Sequence, residues 1–150
     1  MDAIRTQLLA SVSKTIEALD LPEVALVVVR NRQDDLAALA YPSVVIRRAD
    51  GPDIERRGTA EQVEVGYGVE VLYRLRVQAG PEAPVDLPDR WYQALASAFR
   101  NRNAPLPDLA HLSIGEVALE PLPVLEIPQE VFQLVQGGLV ARIYVFQNRE

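Results

Sequence analysis

The sequence predicts an α+β fold: a mainly antiparallel sheet with two amphipathic helices packed on one face and one long projecting strand. Three observations lead there. Apolar residues recur at helical spacing in two segments, every odd-numbered residue from Val63 to Val77 is apolar, and the strands between follow one another through short turns. The 150 residues suit a single domain, 1–150, and 49% hydrophobic residues suffice for one core.

Ile4, Leu8, Val12, Ile16 and Leu19 make one apolar stripe, so a helix is expected from about Asp2 to Leu19. Asp2 favours its start, and Pro22 ends it because proline cannot continue the hydrogen-bond ladder. Val24 to Val29 is apolar at every position and rich in β-branched residues, as expected of a short central strand covered on both faces. A loop over Arg30 to Asp35 and a helical turn at Leu36 to Leu39 then lead to a second strand, Ser43 to Ala49. Asp50-Gly51-Pro52-Asp53 is a dense turn signal. The chain is expected to reverse there and return through Ile54 to Arg57.

The long strand carries Val63, Val65, Tyr67, Val69, Val71, Tyr73, Leu75 and Val77 on one face and Glu64, Gly66, Gly68, Glu70, Arg74 and Arg76 on the other, with Leu72 as the single apolar interruption. At about 3.3 Å per residue it would extend roughly 50 Å and overhang its own sheet. Gly66 and Gly68 sit within the alternation with no helix start behind them, so they read as a bend, a bulge or a close backbone approach rather than a phosphate loop.

Gly80 to Pro84 breaks the strand. A second helix is expected from Leu87 to about Arg100, with Asp89 at its start and Trp91, Leu95, Ala98 and Phe99 on one side. Asn103 to Ser113 should be loop, Ile114 to Leu119 a weak strand, and Pro121 to Pro128 an extended arm whose prolines cannot donate inside a sheet. Gln129 to Gln136 is expected to turn helically before Gly137-Gly138, and Leu139 to Phe146 to close the chain as a second central strand.

Little in the composition points to catalysis. There is no cysteine, and His111 is the only histidine, which leaves no His pair for a metal and no thiolate nucleophile. The G-x-S-x-G elbow is missing. Asp34-Asp35, Asp50 with Asp53, Glu61 with Glu64 and Glu116 with Glu120 are carboxylate pairs of the kind that surface acids produce by chance. Arg47-Arg48 and Arg56-Arg57 flank one turn and read as a mixed, solvated surface. No catalytic, cofactor-binding or metal-binding residue is assigned, no cofactor is expected, and the chain is read as not an enzyme.

A net charge of −6 argues against broad nucleic-acid binding. No apolar run approaches the roughly 18 residues of a membrane span, and Met1-Asp2-Ala3-Ile4-Arg5 lacks the pattern of a signal peptide, so a cytoplasmic location is expected. One polar arrangement stands out. Along the long strand acids come first, Glu64 and Glu70, and bases follow, Arg74 and Arg76; a partner strand in suitable register would pair them, which makes these four the candidate subunit-interface residues.

The N-terminal amphipathic helix, the short apolar strand, Tyr41-Pro42-Ser43-Val44-Val45, the long alternating strand and Gly138 to Val145 together resemble the tail-terminator and tail-completion proteins of long-tailed bacteriophages. The resemblance implies a homo-oligomeric ring, commonly a hexamer, that caps the tail tube and presents a surface to the head connector. Its partners would be itself, the tail-tube protein and the head-connector protein, with DNA only passing through the channel. It would be cytoplasmic during assembly and then part of the virion tail. A competing reading is a small ligand- or peptide-binding module whose pocket, between helices and sheet, uses Trp91, Tyr92 and Tyr41.

Overall fold

The strand that dominates the sequence also organises the computed structural model, which describes residues 3–19, 21, 26–31, 34, 36, 39, 41–78, 87–100, 109, 112–128 and 132–148. Among these residues two helices, α1 (Ala3–Glu17) and α2 (Leu87–Arg100), accompany six strands: β1 (Leu26–Val29), β2 (Ser43–Arg48), β3 (Ile54–Gly58), β4 (Gln62–Gln78), β5 (Ser113–Pro128) and β6 (Phe132–Asn148). They form a mixed six-stranded sheet in the order β1-β2-β4-β6-β5, with β3 also paired to β4, in keeping with an α+β arrangement. The β1/β2 pair is parallel and the other pairs are antiparallel. Asp2, Pro22, the break at 80–84, His111 and most of the 103–113 loop lie outside the described residues.

The long strand runs 17 residues without a break, and Gly66 and Gly68 hold their register opposite Tyr144 and Arg142. It does not project alone. β6 pairs with it at every position from Gln62↔Asn148 to Gln78↔Phe132, so the overhang expected of a lone strand is a ribbon. The odd-numbered residues of β4 and β6 are buried together as register pairs: Leu75 with Val135, Val71 with Leu139, Val69 with Ala141, Tyr67 with Ile143 and Val65 with Val145. Leu8, Val12 and Ile16 of α1, and Trp91, Leu95 and Ala96 of α2, belong to the same apolar cluster. α1 lies against β1, β2 and β4, and α2 against β6 and β5.

Four expectations are corrected. The apolar strand ending at Val29 is an edge strand, not a central one: α1 lies along it and Val28 packs with Val45 and Leu72, but nothing described pairs beyond it. Apolarity on both faces reports what lies above and below a strand, not what lies beside it. The chain does not reverse at Asp50 to Asp53. β2 and β3 both run antiparallel to β4 and follow one another along the same side of it, so this segment is a detour within one direction, with Gly51 at φ +89°. The reversal comes at Thr59, whose N–H donates to the Gln62 carbonyl at 2.8 Å.

The 121–128 arm is the second half of the 16-residue β5, where its prolines are tolerated because β5 is a sheet edge. Finally, the described part of 129–136 is strand rather than helical turn: Phe132 to Gln136 pair with Gln78 to Arg74 on one side and, from Gln133, with Pro128 to Leu125 on the other. Ladder pairing on both sides supplies what the local sequence does not. Gly138, at φ +142°, lets β6 pass close to β4; a Cβ there would overlap the Val71 carbonyl oxygen.

Candidate functional site

The alternation of β4 suggests a polar, solvated even-numbered face, yet the structure places most of that face indoors. Glu64 is 1% exposed, and Glu70 and Arg74 are each 7% exposed. A buried carboxylate requires a partner, and this chain supplies one for each acid. Arg47, directly opposite Glu70 in the β2/β4 register, forms an ion pair with it. At the other acid the register shifts between Glu55 and Arg57, so Arg56 is the extra residue of a β-bulge. Arg56 turns to Glu64, its Nε donating to Oε1 at 2.7 Å, and to Glu116 of β5, its Nη1 donating to Oε2 at 2.6 Å. These bonds, that to Glu64 foremost, raise the Arg56 pKa above its ordinary value.

Tyr144 completes this end. The Arg56 guanidinium lies 3.7 Å from the centre of its ring, and the ring crosses over Gly66, where a Cβ would come within 2.7 Å of it. Close approach is therefore what Gly66 provides. Arg142, the lone charge of the closing apolar segment, donates from Nη1 to the Gly66 carbonyl at 3.1 Å.

The arginine end is built differently. Arg74 donates from Nη2 to the Tyr41 hydroxyl at 2.6 Å and stacks 4.7 Å over that ring. Among the described residues its Nη1 has no hydrogen-bond partner, and neither has the hydroxyl of Ser43, the residue directly opposite Arg74 on β2. Arg76 is exposed and lies 3.9 Å over the ring of Phe132. Among the described residues no carboxylate pairs with either arginine. Register carries the same face across the ribbon: Arg74 aligns with Gln136 and Leu125, and Arg76 with Leu134 and Ile127. Leu125 and Ile127 are 52% and 47% exposed, and Phe132 and Leu134 are half-buried. The far end of the even face is thus apolar and cationic at once.

Of the four interface candidates, then, Glu64 and Glu70 are paired inside the chain, Arg74 is buried beside Tyr41, and Arg76 alone is at the surface. Sequence reasoning missed Arg56, Glu116 and Tyr144 as a group. Their contacts depend on the bulge and on the distant β5/β6 register, for which no local pattern exists. Of the arginines read as a mixed, solvated surface, Arg56 is exposed and Arg47 half-buried, and each is ion-paired with an acid of β4.

The three aromatics of the competing pocket do not converge. Trp91 is buried, with its ring centre 6.2 Å from that of Tyr73, while Tyr41 meets Arg74, and adjacent strand residues point to opposite faces. An open cleft of about 550 Å³ lies elsewhere, lined by Arg5, Thr6, Val29, Arg30, Arg48 and Asp50 among others. Its Arg5 is ion-paired with Asp53. Among the described residues no group of three His, Cys, Asp or Glu side chains could hold a metal ion, and no helix is long and apolar enough to cross a membrane. No protein-family model matches this sequence, and no curated protein matches it.

Proposed function

We propose that this chain is a structural subunit that assembles with copies of itself, as the tail-terminator and tail-completion proteins of long-tailed bacteriophages do. In this reading it forms a ring, a hexamer in the commonest arrangement, that caps a tail tube and meets a head-connector protein. DNA passes through without being specifically bound. α1 and α2 cover the odd-numbered face of the sheet, and the exposed far end of the even-numbered face, around Arg76, is left to meet neighbours. The subunit is assembled in the cytoplasm and ends in the virion tail, and it is not an enzyme.

The observation that carries the reading is the far end of the β4/β6/β5 ribbon. Exposed Leu125 and Ile127 lie there beside two arginines that no described carboxylate neutralises. Exposed apolar surface next to unneutralised charge is costly for a lone subunit and useful in an assembly. The mass of the purified chain in solution, followed by particle images, tests the reading. A discrete ring is expected; a monomer that persists at high protein concentration overturns it.

A further inference from the structure

Arg74 and Ser43 face one another across β4 and β2, and each keeps a buried polar atom that no described residue satisfies. We infer that together they form a binding site for a carboxylate. The two are register partners, so their side chains stand on the same face of the sheet with Cβ atoms about 5 Å apart. Arg74 is 7% exposed and Ser43 fully buried, and the two orphaned atoms, Nη1 and Oγ, are both shielded from solvent. Buried polar atoms are as a rule hydrogen-bonded, so two orphans side by side mark a place where a further group belongs.

Charge decides what kind of group that is. A water satisfies a hydroxyl but leaves a buried guanidinium without the counter-charge that offsets its desolvation. The next acid along this face of β4 is Glu70, about 13 Å away at 3.3 Å per residue, and it is ion-paired with Arg47. A carboxylate matches the site in charge and in shape. As a monoanion it neutralises one buried cation without remainder, and its two coplanar oxygens accept from Nη1 and from the Ser43 hydroxyl at once. Phosphate brings more charge than one buried cation offsets, and chloride has no second acceptor atom. Exposed Arg76, two residues along on the same face, adds a positive field that draws an anion inward. Half-buried Tyr41 holds the Arg74 guanidinium through its ring and its hydroxyl, so it is the cover that moves aside to admit the ligand. Every residue of the site belongs to one copy, and the inference therefore stands apart from the ring reading.

Thermal unfolding in sodium formate, the smallest carboxylate, tests the site against sodium chloride and sodium phosphate at equal ionic strength. The parent is expected to gain about 3 °C or more in melting temperature once formate exceeds its dissociation constant roughly tenfold, and to gain less from the other two salts. Arg74→Met and Ser43→Ala should each raise the half-saturating formate concentration about tenfold or more. Tyr41→Phe, which releases the hydrogen bond of the cover, should lower it. Ser43→Ala removes a single oxygen and carries the test should Arg74→Met fail to fold. Equal shifts from formate and chloride, or a Ser43→Ala chain that responds to formate as the parent does, would overturn the site, and a larger shift from phosphate would overturn the carboxylate assignment. Because the readout is a melting temperature and not a mass, none of these results bears on whether the chain forms a ring.

Discussion

The even-numbered face of β4 solves one problem in two ways. At the Glu64 end the charges are closed upon one another: Arg56 bridges Glu64 and Glu116 across three strands and stacks on Tyr144. At the Arg74 end, among the described residues, the cations meet rings and a hydroxyl, with Tyr41 under Arg74 and Phe132 under Arg76. A buried charge with its counter-charge in hand serves the fold of its own chain, whereas a cation held by aromatic faces keeps its charge available to whatever approaches. The gradient from Glu to Arg along one strand therefore runs from charges neutralised within the chain to two arginines, buried Arg74 and exposed Arg76, that no described carboxylate neutralises.

The largest effect should come from breaking the ribbon that joins the two ends. Gly138→Ala forces a side chain against the Val71 carbonyl at positive φ, midway between the Glu64 and Arg76 sites. It is expected to cost more than about 3 kcal/mol, read as a lowered urea midpoint. If the loss is small, β4 and β6 are not locked at that crossing, and the ends are less rigidly related than their register implies.

Next comes the covered face of the arginine end. Tyr73 is adjacent to Arg74 but points into the core, where burial and then the charge of Asp89 push its pKa up to about 12. The folded value lies above the ordinary value of about 10, so its contribution to stability is complete below pH 10 and is lost as pH rises through about 12. A decline of about 2–3 kcal/mol is expected across that window. Tyr73→Phe, which has no proton to lose, should flatten it; an unchanged alkaline slope would assign the decline to other groups.

Much of this architecture is legible in the order of residues alone, and the pattern of success has a physical cause. The α1 stripe, the Trp91–Leu95–Ala98 side of α2 and the parity of β4 are one-element properties, set by whether successive side chains fall inside or outside. Lateral relations are not of that kind. The edge position of β1, the shared direction of β2 and β3, and the extension of β6 back to Phe132 all depend on what lies beside each strand. The charges follow the same rule. Glu64 and Glu70 could be singled out along the strand, but their partners Arg56 and Arg47 are chosen by a bulge and a register that local sequence does not record.

The two smallest effects set the ends directly against each other. Glu64→Gln keeps the shape of a buried side chain and removes its charge, and it should cost about 1–2 kcal/mol because a charge-assisted hydrogen bond becomes a neutral one. Arg74→Met removes a charge of similar burial at the opposite end, and there the outcome should differ. Arg74 has no described carboxylate to abandon, its Nη1 has no partner among the described residues, and methionine fills comparable volume beside Tyr41. Replacing a buried charge that lacks a counter-charge with an apolar side chain is neutral or stabilising, so a change within about 1 kcal/mol, and of either sign, is expected. Equal losses at Glu64 and Arg74 in urea unfolding would mean that both ends are closed within the chain. A loss at Glu64 alone would leave the arginine end as the part of β4 that the fold does not need for itself.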